Sequence, residues 1–214
     1  MKIGSLLLCY GLLACTRPEL TMASAHASAT STRAAALSAA PTQPAKPTAR
    51  VQAPSVYDLP VALRDDSGAV RPLEAFRGHP VLVTMFYGSC PVACPLLTSD
   101  LKRLERQIPE PMRSDVRILM VSFDSTRDTP AALAQIKQER GLDATRWTLA
   151  SADDDDARGL AGVLGVKYRK LDNGAFFHSS VIVLLDREGR PQARIEGADR
   201  DVTALLTTLT APSI

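Results

Sequence analysis

The chain has 214 residues, of which 45% are hydrophobic and 22% charged, and a formal net charge of +2. That is enough for one domain of ordinary size with extra segments, or at most two small ones, and the balance is that of a soluble globular protein rather than a disordered or membrane-spanning one. So small a charge, with no basic stripe interleaved with aromatics, excludes nucleic acid as a partner.

The chain opens "MKIGSLLLCYGLLAC", one Lys and then an apolar run from Ile3 to Ala14. The run is too short to cross a bilayer as a permanent helix and suits a signal-peptide core. It ends in Leu12-Leu13-Ala14-Cys15, which resembles the bacterial lipobox, whose cysteine takes lipid and becomes the mature N-terminus. An ordinary cleavage site near "MASAHASA" is the other reading. Residues 1–15 are therefore expected to be a signal peptide, with export to the periplasmic face of a bacterial membrane and a lipid anchor on Cys15. Residues 16–55 are Ala, Ser, Thr and Pro with scattered charge and almost nothing large and apolar to bury, which predicts a disordered tether. At the ~3.1 Å per residue of an extended polyproline-like chain, it reaches tens of ångströms from a membrane. His26 lies in this tether, where no role is expected of it.

Residues 56–214 are expected to form the folded domain. "VALRDDSGAVRP" predicts a hairpin turning at Asp66-Ser67-Gly68, and Gly78-His79-Pro80 a turn before the next element. "VLVTMFY", Val81 to Tyr87, is continuous and β-branched, the pattern of a central strand buried on both faces. Leu97, Leu101, Leu104 and Ile108 then recur at helical spacing until Pro109 and Pro111 stop the helix. "VRILMVSF" predicts a second buried strand, and Asp128-Thr129-Pro130 opens a helix carried by Leu133 and Ile136 to Gly141. A short strand at Trp147 to Leu149 precedes a helix bearing Leu160, Val163 and Leu164, at whose start the acidic run Asp153 to Asp156 suits the helix dipole better than calcium. "AFFHSSVIVLLD" and "PQARIEG" predict a hairpin about Arg187 to Arg190, and "DRDVTALLTTL" a closing helix. Strands alternating with helices predict an α/β sandwich with a central mixed sheet flanked by helices. A cysteine pair where the central strand meets the next helix narrows this to a thioredoxin-like fold.

With Cys9 lost in the leader and Cys15 lipidated, only Cys90 and Cys94 remain as thiols. A domain of this size needs no disulfide to hold its core, and a loop this small would constrain little of the unfolded chain, so the pair points to chemistry. Pro91 and Pro95 push the residues before them away from helical geometry, and Pro95 suits the first helical position, so Cys94 is predicted to cap the helix with an acidified thiol. Three residues between the sulfurs allow a disulfide but also suit two sulfurs on one ion. Of the three histidines, His178 stands just before a strand whose preceding loop, in this fold, faces the cysteine loop, and is the candidate third ligand. His79, at the other end of the central strand, has a structural reading. Two thiolates and one imidazole in a partly open site suit copper; a structural zinc site wants a fourth protein ligand, and none is apparent.

"FYGSCPVACPLLTSDL", "VSFDSTRDTP" and "FFHSSVIVLLDREG", in this order and spacing, resemble the SCO/SenC family of copper-binding thioredoxin-fold proteins over roughly Tyr57 to the C-terminus. The resemblance implies that Cys90, Cys94 and His178 bind copper. It further implies a part in assembling the binuclear copper centre of cytochrome c oxidase, with the oxidase's copper-site subunit as partner. Asp124 matches an acidic position of the second motif. Phe177 stands where an acidic residue often precedes the histidine, and Ser125 where a proline is frequent. Two modes of action follow. In one, a metallochaperone holds copper on an exposed loop and passes it to a partner's thiolates, which requires the pair reduced. In the other, Cys90 and Cys94 are the catalytic and redox disulfide pair of a thiol–disulfide oxidoreductase that reduces the oxidase's copper-site cysteines. A peroxiredoxin-type peroxidase would place a proline where Val83 stands and its hydroxyl residue where Tyr87 stands, and is set aside.

Overall fold

A computed structural model describes residues 54–90, 93–197 and 201–211 of the chain. The expected signal peptide, Cys15, His26 and the tether up to residue 53 lie outside the described residues; Ser55, placed in the tether, instead caps the first turn of the domain. Among the described residues, no helix is long and apolar enough to cross a membrane.

After a short 3₁₀ turn at Val56–Asp58, Ala62–Asp65 (β1) and Val70–Pro72 (β2) form the predicted hairpin. Its turn is held by Asp65, whose carboxylate accepts from the backbone N–H groups of Ser67 and Ala69 at 2.9 and 3.0 Å, while Gly68 supplies the positive φ of +88°. All six residues of Val81–Phe86 (β3) are buried, as the unbroken apolar run requires. Ala93–Gln107 (α1) follows, with Leu97, Leu101 and Leu104 buried along one stripe, and Ile108 beyond it. Each such leucine stabilises the domain by about 1.5–3 kcal/mol. Pro109 ends that helix and starts the single turn Glu110–Arg113 (α2).

Arg117–Ser122 (β4) and Trp147–Ser151 (β5) flank Pro130–Glu139 (α3), whose cap is Thr129, accepting from the Ala132 N–H at 3.3 Å. Asp154–Leu164 (α4) is capped by Asp153, so the acidic run is indeed a helix entrance. Its buried stripe is Ala157, Leu160, Ala161 and Leu164. Val163, expected on that stripe, is 42% exposed, because the small alanines at 157 and 161 pack in its stead. Val181–Leu185 (β8) and Pro191–Glu196 (β9) pair as the predicted hairpin, and Thr203–Leu209 (α5) closes the domain against them. Between α4 and β8 lies an element the sequence reading missed. Tyr168–Lys170 (β6) and Phe176–His178 (β7) form a separate antiparallel ribbon, so "AFFH" does not continue into the β8 strand.

The main sheet has seven strands in the order β2-β1-β5-β4-β3-β8-β9, parallel through β3, β4 and β5 and antiparallel elsewhere. This is the expected sandwich around a mixed sheet. The topology has a direct consequence for the site. Because β3 and β4 run parallel and β8 runs against them, the residues after Phe86, those after Ser122 and those before Val181 converge at one edge of the sheet. Those are the cysteine segment, the "FDSTRD" loop and His178. The buried Thr84 reinforces the junction, its hydroxyl donating to the Val181 carbonyl at 2.5 Å.

Candidate metal centre

At that edge the two sulfurs of Cys90 and Cys94 and one ring nitrogen of His178 all lie within 4.8 Å of one another. The three residues expected from sequence to share a site are brought together by three separate segments.

The cysteine segment starts at Gly88, whose N–H donates to Asp128 Oδ2 at 2.7 Å. The same carboxylate accepts from the Ser122 hydroxyl at the end of β4. Gly88 is required here by close approach: a Cβ would stand 2.4 Å from Asp128 Oδ1 and 2.8 Å from the Ile136 side chain. Burial pushes the Asp128 carboxyl up, while its two donors pull it down. Asp128, read from sequence as part of a helix opening, is thus turned inward, and Thr129 does the capping.

The predicted role of Cys94 is corrected. The helix already includes Ala93, so Cys94 lies in its first turn rather than capping it, and Pro95 sits where a missing N–H costs nothing. The sulfur at the helix end belongs to Cys90, which accepts from the Cys94 N–H at 3.4 Å. Burial pushes the Cys94 thiol up rather than down, with a backbone hydrogen bond at Tyr87 and the Arg140 guanidinium opposing. Arg140 also donates to Thr98 Oγ1 at 2.7 Å and reaches the Cys94 carbonyl at 3.5 Å, packing the end of α3 against this first turn.

The site is also less open than an exposed loop: Cys90 is 8% accessible and Cys94 0%. The reason is a wall of aromatic rings. Phe123 stacks on Tyr168 at 4.6 Å between centroids and lies 5.0 Å from Phe176, while Tyr87 and Phe123 meet the His178 ring edge-on at 5.7 and 5.4 Å. Tyr87 closes the same wall, its ring 5.2 Å from that of Phe176, and burial is the main cause that pushes its phenol up. Pro91 and Val92, at the tip of the cysteine segment, lie outside the described residues.

His178 ends β7, half-buried, in register with Tyr168. Its Nδ1 lies 3.2 Å from the Ser179 carbonyl. A carbonyl only accepts, so Nδ1 carries the proton and Nε2 the lone pair. Nε2 is buried with no hydrogen-bond partner among the described residues. Burial lowers the pKa of the ring, which keeps it neutral near pH 7. A neutral imidazole held by one nitrogen and unsatisfied at the other is the form a metal ligand takes. Phe177 points the other way, 63% exposed between two partly buried neighbours, so an acidic residue at this position would face solvent. The Ser179 carbonyl supplies the support to Nδ1 in its stead.

Asp124 is buried but not a ligand. Its carboxylate accepts from the Thr126 hydroxyl at 2.9 Å and from Arg127 Nε. His79, at the opposite end of β3, bonds Asp115 at 2.6 Å, and Asp115 in turn accepts from Arg187 at 2.6 Å, as its structural reading expects. Sequence reasoning missed Tyr87, Phe123, Phe176, Asp128 and Arg140. The one available signal was the density of polar residues in "VSFDSTRDTP".

These features define a thioredoxin-like α/β domain with a Cys/Cys/His set, able to hold a soft metal ion, where the carboxyl ends of two parallel strands meet. The chain belongs to the SCO1/SenC family, whose model matches residues 50–211. It is 37% identical over 79 residues to the mitochondrial SCO2 homologue of Bos taurus, a stretch covering 36% of this chain and 30% of that one. The alignments thus span under a third of the length of the curated relatives it matches. Among solved structures it is similar to Arabidopsis thaliana ScoI with copper bound (TM-score 0.61, 21% identity, 70% of this chain and 92% of that one). It is similar too to BsSco, described as a member of the Sco family of cytochrome c oxidase assembly proteins (TM-score 0.61, 18% identity, 75% and 97%). At these identities the structures establish the shared fold.

Proposed function

We propose that the chain holds copper through the sulfurs of Cys90 and Cys94 and Nε2 of His178. In this reading it passes the ion on in assembly of the binuclear copper centre of cytochrome c oxidase. The observation that carries the reading is the buried, unpartnered Nε2 in the same cluster as two sulfurs. A ring kept for packing alone would pair that nitrogen, since an orphaned buried acceptor costs about 1–3 kcal/mol. Two soft thiolates and an imidazole suit copper; zinc accepts the same atoms, but a structural zinc site wants a fourth protein ligand. The copper-bound relative and the relative described as an oxidase assembly protein support the cargo and the destination. Copper is cargo here, released when the thiolates of the oxidase's copper-site subunit displace these ligands one at a time. Titration of the reduced protein with copper, followed by absorbance and paramagnetic resonance, is expected to give one ion per chain. His178→Ala should lower the affinity by about tenfold or more, and unchanged affinity would remove the imidazole from the site.

Reduction of the oxidase's cysteines by the same pair is the weaker reading. Disulfide exchange needs only the two sulfurs and leaves His178 Nε2, buried in the same cluster, without work.

The same reading makes residues 1–15 the leader, Cys15 the lipid-bearing residue at the periplasmic face, and 16–55 the tether of a domain spanning 56–214. Labelled fatty acid should enter the wild-type chain in a bacterial host and not Cys15→Ser. Wild-type protein that stays unlabelled would point to ordinary cleavage instead.

A further inference from the structure

We propose that Arg127 is a positioning residue for the metal centre, acting through His178. Its guanidinium locks the β6–β7 ribbon to the loop after β4 and so holds the imidazole over the two cysteines. This rests on Cys90, Cys94 and His178 being the metal ligands.

A ribbon of two three-residue strands does not stand alone in water. It is tied at its base, where Ser179 N–H donates to the Lys167 carbonyl at 2.8 Å and Lys167 N–H to the Ser179 hydroxyl at 3.0 Å. It is packed in the middle by Phe176, whose ring lies 5.2 Å from Tyr87 and 5.0 Å from Phe123 between centroids. At its tip the tie is Arg127, whose Nη2 donates to the Gly174 carbonyl in the turn and whose guanidinium carbon lies 5.9 Å from the Phe176 ring centre. Nε of the same fork donates to Asp124.

Asp124 is a firm anchor. Its side chain is 2% exposed, its other oxygen takes the Thr126 hydroxyl, and its N–H donates to the Ser122 hydroxyl at 3.0 Å. That Ser122 hydroxyl also donates to Asp128, which holds Gly88 at the start of the cysteine segment. One loop therefore grips both halves of the site: Asp128 takes the cysteine side and Arg127 the histidine side. The planar fork, with its several fixed donors, bridges a carboxylate and a carbonyl as a single ammonium would not.

Arg127→Met keeps the aliphatic stem and removes the donors. In the metal-free protein, amide hydrogen exchange across residues 168–178 is expected to quicken about tenfold while the β3 and β4 amides stay as protected as in wild type. Copper affinity should fall about tenfold. In Arg127→Met/His178→Ala the loss should equal that of His178→Ala alone, since Arg127 acts only through that ring. Unchanged ribbon exchange, or losses that add in the double variant, would overturn the proposal. Failure of the wild-type protein to bind copper would instead sink the metal reading, and the exchange experiment would still decide whether Arg127 holds the ribbon.

Discussion

Cys94→Ser is expected to lower copper affinity by more than about a hundredfold. Removing an outer partner of a metal ligand typically costs 10–100-fold, and removing the ligand atom costs more. Serine nearly matches cysteine in size but offers a hard, protonated oxygen where copper wants a soft thiolate. Cys94 is wholly buried in the first turn of α1, so the change leaves the helix stripe of Leu97, Leu101 and Leu104 in place. Circular dichroism should therefore show a folded domain that no longer takes the metal. The pH dependence follows from the same burial. Binding must displace the thiol protons, so affinity should rise with pH through neutrality, by about tenfold per unit for each proton released. A flat profile would contradict thiolate ligation. For the metal-free protein the signs are opposite for the two candidate ligands Cys94 and His178. The Cys94 pKa is raised above its ordinary 9.0, so its contribution to stability is complete below that pH and is lost as pH climbs through the folded value. That of His178 is lowered from 6.5, so its contribution is present above that pH and is lost as pH falls through the folded value.

Phe123→Ala should have the largest effect on the fold, about 3–5 kcal/mol of stability, against the roughly 5–15 kcal/mol typical of a domain. Phe123 is buried and touches Tyr168, Phe176, Tyr87 and the His178 ring, so its removal opens a cavity in the wall that separates the site from water. Urea denaturation should show a lower midpoint with an unchanged slope. Copper affinity should fall in the fraction that remains folded, because the imidazole loses one of its two aromatic neighbours. Phe123→Leu, which refills most of the volume, should recover more than half the stability. A loss under about 1 kcal/mol in Phe123→Ala would show that the rings do not pack as a unit.

Elements that carry their own periodic signal could be read without coordinates. The unbroken run Val81 to Tyr87 announced a doubly covered strand, observed over Val81–Phe86, and Leu97, Leu101 and Leu104 a one-sided helix, because burial demands those spacings. The β6–β7 ribbon had no such signal. Its strands are three residues long, and "FFH" runs almost directly into "VIVLL", so nothing local marks the break at Ser179 and Ser180. The error over Cys94 has the same origin. Proline at 95 is a sound local argument for a helix start, but local rules do not register that Tyr87 and Phe123, just past β3 and β4, close with rings of the β6–β7 ribbon around a site where the sulfurs are buried.

By itself, then, the sequence determined which groups stand as candidate ligands, two sulfurs and an imidazole, and the strands whose ends would carry them, since residue chemistry and strand periodicity are written in the order of the chain. Only the tertiary structure decided how those atoms are presented. It is the folded packing that assigns the helix-end position to Cys90 instead of Cys94, protonates Nδ1 rather than Nε2 of His178, and sets Asp128 and Arg127 to brace the two halves. Hydrogen-bond direction and solvent exclusion depend on neighbours distant in the chain, such as Gly88 and Asp128, 40 positions apart, or Arg127 and Gly174, 47 positions apart, and spacing along the chain carries no record of them.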